Sequence, residues 1–348
     1  MGFIWFWIVA VMLVAYVVLD GFDLGVGILH MFVARDEQER QIAIRSIGPV
    51  WDGNEVWLLA GGGTLYFAFP MLYASAFSGF YLALMIVLWL LIMRGAAVEL
   101  RMKIGMSLWR SFFDGVFFIS SALLAVFYGA ALANVIRGVP LQADGYFFLP
   151  LWTNWRVGAH PGILDWYTVI GGVVALGALA LHGALYLAVK TEGALLVRTR
   201  TLAMRLWAAV FALTILSLPA SIIARPDTLS NYRDYPLTFM VPVVVFLTLL
   251  GIPFFSRKSA DRFAFMCSCA YLATMLVGAA ISLYPRLLPS TGDATYDITI
   301  EKALSGPHTL HVGLIWWTFG MLCALTYFVI VYRMFRGKVR LESGGYEH

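Results

Sequence analysis

Two pairs of carboxylates lie within the most apolar part of this chain. Asp20 and Asp23 interrupt the first apolar segment, and Asp52 and Glu55 begin the second. Each pair is spaced i,i+3, which places both side chains on one face of a helix. A carboxylate in a membrane segment is costly unless it faces protein, water or a cation, so such residues indicate proton or ion handling, or a charged partner. Arg94, in the third apolar segment, is the obvious counter-charge.

Two interpretations of these acids remain open. They could form a proton entry path from the cytoplasm, with Glu99 beyond Arg94 converging on the same side of the membrane. Alternatively, they could be ion pairs and helix caps that tie the first helices together, with Asp52 and Glu55 stabilised by the positive end of their helix. Four carboxylates cannot all be neutralised by one deep arginine, which favours the proton path slightly. Arg101 and Asp114 are expected to converge at the same depth.

The composition indicates which elements position these residues. Hydrophobic residues make up 61% of the chain and charged residues 13%, whereas soluble domains have about 45–50% and about 25%. A spanning helix needs about 20 apolar residues. We therefore predict an all-α, polytopic integral membrane protein of about nine transmembrane helices. The predicted spans are 3–32, 50–69, 72–95, 111–136, 163–189, 202–224, 236–255, 263–285 and 308–335.

The positive charges predict the topology. With these spans, 18 of the 24 Lys and Arg residues fall on one side of the membrane and six on the other. Because cytoplasmic loops are enriched in Lys and Arg, we expect an outside N-terminus and a cytoplasmic C-terminus. The net charge of +4 therefore reflects topology in a lipid bilayer and predicts no nucleic-acid partner.

The histidines argue against a haem or metal site in this chain. Membrane haem usually needs axial His, Met or Cys ligands, and His182 alone lies well inside a predicted span. Hydrogen-bonded packing is the expected role of His182, with a polar relay or a quinone contact as alternatives. The pair His308 and His311 has a chelating spacing but no evident third ligand. We expect no metal site.

The glycines predict close helix packing. Gly21 and Gly25 form a small-xxx-small spacing in the first span, and Gly61, Gly62 and Gly63 follow one another in the second. Small residues allow helix backbones to approach in membranes. Neither strand nor lysine accompanies the glycines, so a phosphate loop is not indicated.

Four motifs resemble one known family over nearly the whole chain. They are DGFDLGVG at 20–27, GPVWDGNEVWL at 48–58, KTEG at 190–193 with RTR at 198–200, and YPRLLPST at 284–291. Their order and spacing resemble subunit II of the cytochrome bd-type quinol oxidases.

The resemblance implies a non-haem subunit of a respiratory oxidase in a prokaryotic cell membrane. Its partner, subunit I, would hold haems b and d and the quinol-oxidising loop, and a small accessory transmembrane subunit could join them. The complex would oxidise quinol and reduce dioxygen to water. The implied fold is two four-helix bundles and a peripheral helix, which divide this chain at about 1–136, 163–285 and 308–335.

The resemblance also implies roles for particular residues. A proton path at the subunit interface would begin with Asp20, Asp23, Asp52, Glu55, Arg94 and Glu99. Some family members hold a structural quinone in subunit II, but no residue here can be assigned to it. The other function classes are a proton-coupled transporter, which should show broken helices at the midplane, and a haem-bearing anchor of a dehydrogenase, which needs paired histidines.

Overall fold

The computed structural model describes residues 1–340 as an almost entirely helical protein. Eight helices in this part of the chain are long and apolar enough to cross a membrane, as the composition predicts. The helices are α1 (Gly2–Val33), α2 (Glu37–Ile47), α3 (Trp51–Ala68), α4 (Pro70–Gly79), α5 (Tyr81–Leu100), α6 (Ser107–Arg137), α7 (Trp166–Lys190), α8 (Gly193–Ala224), α9 (Ser230–Asp234), α10 (Met240–Arg257), α11 (Asp261–Leu283), α12 (Ile300–Ala303) and α13 (Pro307–Met334).

Helix α3 corresponds to the predicted span 50–69. It is not among the eight most apolar helices, because its polar first turn lowers its mean hydropathy. It runs antiparallel to α1, because Asn54 lies beside Leu19 and Asp23 whereas Thr64, ten residues later, bonds to Met12. Since α3 returns along the length of α1, it crosses the same part of the membrane. Counting α3 gives nine crossings.

The predicted span 72–95 is wrong as a single helix. The chain instead forms α4 and α5, separated at Phe80. The ring of Phe147, from the following outer loop, lies so close to Gly79 that a Cβ there would meet it at 2.2 Å. The bend therefore occurs where the outer loop packs against the helix. The short helix α2, which was not predicted, connects α1 to α3.

Two groups of four helices form the body of the protein. In the first, α1, α3, α5 and α6 pack together, and in the second α10 and α11 pack with α7 and α8. Helix α1 also packs against α7 and α11, which is why its residues 20–30 are all buried. The division at 1–136, 163–285 and 308–335 stays a prediction, since α1 belongs to the packing of both groups.

Gly21 and Gly25 allow close contact between the two helix groups, that is between α1 and α7, rather than between helices of the first group. A Cβ at Gly25 would lie 2.2 Å from the Leu179 carbonyl oxygen and 2.6 Å from the Gly183 backbone, and Gly21 faces α7 as well. Gly61 makes ordinary contact with Leu13 of α1. The expected packing role is wrong for Gly62 and Gly63 within the described chain, because a Cβ at either would meet nothing within 4 Å.

A buried ion pair and a small hairpin close the end of the protein where α6 ends and α7 begins. Arg137 at the end of α6 pairs with Asp165, and both side chains are fully buried. Asp165 also caps α7 by accepting hydrogen bonds from Tyr167 and Thr168. Strand β1 (Arg286–Leu288) pairs antiparallel with β2 (Ile298–Thr299), with Arg286 opposite Thr299.

Helix α13 is peripheral. Leu310 is its one buried residue, and its contacts are made at intervals along α1 and α3. The indole nitrogen of Trp317 lies 3.4 Å from the Met12 sulfur, and Phe328 packs against Trp57. Its opposite face is apolar and exposed, as expected for a helix bordered by lipid or another chain.

Candidate functional site

Arg94 binds two of the predicted carboxylates. Its Nη1 donates to both carboxylate oxygens of Asp20, at 2.7 and 2.8 Å, and its Nη2 donates to Glu55 Oε2 at 2.9 Å. Helices α5, α1 and α3 each contribute one of these side chains. Arg94 and Asp20 are buried, whereas Glu55 is 22% exposed. This arrangement is a buried ion triad that links three helices.

Asp23 forms no ion pair with any residue of the described range 1–340. Its Oδ2 accepts a hydrogen bond of 2.7 Å from the amide nitrogen of Asn54, which also donates to the Leu19 carbonyl at 3.2 Å. The Asn54 oxygen accepts from the Tyr332 hydroxyl at 2.8 Å. The other oxygen of Asp23 is buried and has no hydrogen-bond partner among the described residues.

The charges of this group do not balance. Asp20, Asp23 and Glu55 could supply three negative charges, and Arg94 supplies one positive charge. Burying a carboxylate without a cation is expensive, so a group in that position holds a proton or needs water or a partner charge. Of these three carboxyl groups, Asp23 is the one that no arginine binds within residues 1–340.

Asp52 and Glu99 lie outside this hydrogen-bonded group. Both are exposed, and neither forms an ion pair within residues 1–340. The reason for Asp52 is helical geometry. The buried residues of α3 lie at positions 54, 57, 61, 64 and 68, and position 52 is on the opposite face. Asp52 and Glu99 therefore do not join the contacts around Arg94, and the proton path that would include all six residues stays a prediction.

A second charged cluster forms at the ends of α1, α2, α5 and α6. Arg101 donates to Asp114 at 2.5 and 3.0 Å and to both oxygens of Glu37 at 3.0 Å. The His30 ring lies 3.3 Å from Asp114. Burial raises the pKa of Glu37, but the hydrogen bonds from Arg101 outweigh it and hold that pKa below its usual range. Arg101 and Asp114 thus belong to a separate structural network rather than to the Arg94 group.

His182 is fully hydrogen-bonded. Its Nδ1 lies 2.7 Å from the Ser268 hydroxyl and its Nε2 lies 2.9 Å from the Val18 carbonyl. Both ring nitrogens are therefore occupied and neither is free to bind haem iron. Residues 1–340 contain no group of three or more metal-binding side chains, and the exposed His311 bonds to the Pro307 carbonyl.

Two tyrosines and an apolar cavity lie outward of the Arg94 group. The Tyr16 hydroxyl, one helical turn before Asp20, donates to the Tyr128 hydroxyl at 2.8 Å. Both rings line a cavity of about 530 Å³ between the two helix groups. Its walls are mostly aliphatic and aromatic, and Ser217, Ser221, Arg286 and several tyrosines add polar groups.

The family is identified by a match over almost the whole sequence. The family described as cytochrome bd terminal oxidase subunit II matches residues 1–335. The chain belongs to this family. Its match spans every element of the fold from α1 to α13, including the Asp20 and Asp52 motifs.

Relatives with known names agree with this assignment. The chain is 34% identical to cytochrome bd-I ubiquinol oxidase subunit 2 of Escherichia coli (strain K12), over 89% of this chain and 87% of the relative. It is 33% identical to cytochrome bd ubiquinol oxidase subunit 2 of Bacillus subtilis (strain 168), over 89% and 88%. These relatives are subunits of a quinol oxidase, an oxidoreductase complex of the bacterial respiratory chain.

A solved structure supports the fold of this bd oxidase subunit II. The structure of bd oxidase from Geobacillus thermodenitrificans matches with a TM-score of 0.74 and 16% identity, over 96% of this chain and 98% of that one. At this identity the likeness concerns the fold, and it confirms the all-α, multi-pass architecture.

Sequence reasoning missed two members of the site in this bd oxidase subunit. Asn54 lies between Asp52 and Glu55. It is the first of the buried positions 54, 57, 61 and 64 of α3, and this spacing could have identified it. Tyr332 is nearly 300 residues away in the chain. Nothing in the local pattern of α13 distinguishes Tyr332 from its neighbour Tyr327.

Proposed function

We propose that this chain is the non-haem subunit of a bd-type terminal oxidase that oxidises quinol and reduces dioxygen to water. Its partner is a haem-bearing subunit I with haems b and d, and the complex has room for a small accessory transmembrane subunit. The family match over residues 1–335 carries this proposal. The occupied ring nitrogens of His182 support the assignment of the haems to the partner.

The alternatives are less well supported. A proton-coupled transporter would also have carboxylates in its membrane helices, but family membership favours an oxidase subunit. A haem-bearing dehydrogenase anchor would need free histidines within the membrane, and His182 offers no free nitrogen.

We further propose that the acids of α1 and α3 form a cytoplasmic proton entry path. Exposure decreases along it, from Asp52 and Glu99 at the surface, through partly exposed Glu55, to buried Asp20 and Asp23. Surface carboxylates can collect protons and a buried carboxyl without a cation can take one up. Arg94 neutralises Asp20 and orients Glu55. This proposal combines the ion-pair and the proton-path interpretations: Asp20 and Glu55 pair with Arg94, and Asp23 exchanges protons.

The proposed path requires a defined orientation in the bacterial inner membrane. The N-terminus is outside and the C-terminus is cytoplasmic, as the 18 to 6 division of Lys and Arg indicates. An odd number of crossings, nine with α3 counted, is consistent with termini on opposite sides of the membrane. An alkaline phosphatase fusion at the C-terminus should be inactive, and the same fusion in the loop after α6 should be active. The reverse activities would contradict the orientation.

The cavity between the helix groups is the place where a structural quinone would fit. Its volume of about 530 Å³ lies within the range of small-molecule sites, about 300–1,000 Å³, which are mostly apolar. Extraction of the purified complex should then yield more quinone than subunit I alone contains. Equal amounts would contradict this part of the proposal.

Purification tests the function as a whole. Affinity-tagged chain expressed in its own host membrane should co-purify with a haem-rich partner chain that shows b- and d-type absorption. The chain expressed alone should give no haem signal in a reduced-minus-oxidised spectrum. A stoichiometric b-type signal from the isolated chain, or purification without any haem-bearing partner, would refute the proposal.

A further inference from the structure

A chain of two hydrogen bonds connects the peripheral helix to Asp23: Tyr332 donates to Asn54, and Asn54 donates to Asp23. Asp23 and the Leu19 carbonyl both accept from the Asn54 nitrogen, at 2.7 and 3.2 Å. The amide oxygen must therefore face the other way, where the Tyr332 hydroxyl lies 2.8 Å from it. An asparagine whose oxygen is occupied by a donor is fixed in orientation. Tyr332 and the Leu19 carbonyl thus together determine which atom of Asn54 is turned towards Asp23.

The position of Tyr332 depends on how the end of α13 is held. Leu310 is the one buried residue of this helix, and its other residues are exposed or partly exposed. Tyr332, in the last turn, is partly buried and packs against the buried cluster that includes Phe22 and Tyr186. Its ring also lies 6.2 Å from that of Phe328, measured between centroids. A peripheral helix with one buried residue is held more firmly at this end if a further restraint lies close to the hydroxyl.

The segment that follows α13 supplies this restraint. We call residues 335–340 the C-terminal strap. The Lys338 ammonium donates to the Ala188 and Thr191 carbonyls at the end of α7, at 2.9 and 2.8 Å. Lys190 donates to the Phe335 carbonyl at 2.7 Å. The strap therefore attaches the end of α13 to the end of α7, three to eight residues beyond Tyr332.

We propose that Tyr332 is a positioning residue for Asp23 and that the C-terminal strap keeps it in place. The hydroxyl holds Asn54 so that its nitrogen, rather than its oxygen, faces the carboxyl group. Without the hydroxyl, only the Leu19 carbonyl, at 3.2 Å, still restrains the Asn54 amide. The amide oxygen then faces Asp23 more often, which favours protonated Asp23 and hinders release of the proton. This inference rests on the proposed proton path, in which Asp23 exchanges protons.

The test compares Tyr332→Phe with Tyr327→Phe in the complete oxidase. Tyr327 is on the same helix, exposed, and has no hydrogen bond from its hydroxyl within the described chain. We expect Tyr332→Phe to lower oxygen consumption per haem d about fivefold, the effect of one lost hydrogen bond. The pH profile of turnover should shift upward by about 0.5–1 unit. Haem content and the KM for quinol should stay unchanged, and Tyr327→Phe should match the wild type.

The strap is tested by a second pair of variants. Lys338→Met should change turnover and the pH profile in the same direction as Tyr332→Phe, and the double variant should be no worse than Tyr332→Phe alone, because both act through one contact. Arg336→Met removes a neighbouring exposed cation without a hydrogen bond and should behave as wild type. Additive effects of Lys338→Met and Tyr332→Phe would overturn the role of the strap.

Asp23→Asn separates this inference from the proposed path. If Asp23→Asn slows turnover but Tyr332→Phe has the turnover and pH profile of Tyr327→Phe, the inference about Tyr332 is wrong and the path stands. If Asp23→Asn retains full turnover, the path itself is wrong and the inference with it. A Tyr332→Phe variant with less assembled complex but normal turnover per haem d would show a merely structural role and overturn the inference.

Discussion

Replacing Arg94 with glutamine should destabilise the protein more than any other single change at the site. The arginine lies 2.7 and 2.8 Å from the two oxygens of Asp20 and 2.9 Å from Glu55. Asp20 is fully buried, so the substitution leaves its carboxylate without a cation. Breaking a buried pair in this way costs roughly 3–5 kcal/mol, a large part of the 5–15 kcal/mol that typically separates folded from unfolded protein.

The expected result is a strong loss of assembled complex. The yield of haem-bearing complex per cell and the thermal denaturation of purified complex measure it. The double variant Asp20→Asn with Arg94→Gln removes both charges, and it should recover most of the loss, with a coupling energy of about 2 kcal/mol or more. Arg205→Gln, at an exposed arginine without an ion pair, is the control. Normal yield and stability of Arg94→Gln, or a double variant no better than the single one, would refute the reasoning.

Three further predictions concern other parts of the molecule. Gly25→Ala should lower the Tm of the isolated chain, since its Cβ would overlap the Leu179 and Gly183 backbone and overpacking costs about 1–3 kcal/mol. Gly63→Ala should leave the Tm of the isolated chain unchanged, and equal Tm values for the two variants would contradict the α1–α7 contact. Asp52→Asn should assemble normally, because Asp52 is exposed, yet slow turnover per haem d; reduced assembly with full turnover would make it a structural residue. Asp227→Asn should cost about 0.5–1 kcal/mol at pH 7, discounted for exposure, because Arg225 and then Arg286 lower the pKa of Asp227 to about 2. This stabilisation exists above pH 4 and is lost as pH falls to about 2, so the Tm difference should shrink at pH 3, and a constant difference would contradict it.

The fold was largely predictable because long apolar runs have few alternatives in a membrane. Helices α1, α6, α7 and α13 agree with the predicted spans to within a few residues. The break at Phe80 was not predictable, because it depends on the Phe147 ring from a distant loop. Helix α2 escaped prediction since hydropathy detects spans and α2 is only 11 residues long.

The site was predictable in its residue types but only partly in its contacts. Spacing on one helix correctly indicates that Asp20 and Asp23 share a face, and the scarcity of cations identifies Arg94 as the partner of Asp20. The spacing did not predict that Asp52 is exposed. An i,i+3 spacing tells which residues are neighbours on a helix, but not which face of the helix is buried. The position of Tyr332 could not be predicted, since a contact between residues 278 apart depends on the tertiary structure.

The central claim is that a buried carboxyl, Asp23, beside the ion triad of Arg94, Asp20 and Glu55 takes up cytoplasmic protons for the oxidase. Proton uptake by the complete complex carrying Asp23→Asn tests it most directly. Reduced complex is mixed with dioxygen in the presence of a pH indicator, and uptake is recorded per haem d. The account predicts uptake slowed roughly tenfold or more, with unchanged haem content and quinol binding. Uptake at the wild-type rate in a fully assembled Asp23→Asn complex would contradict it.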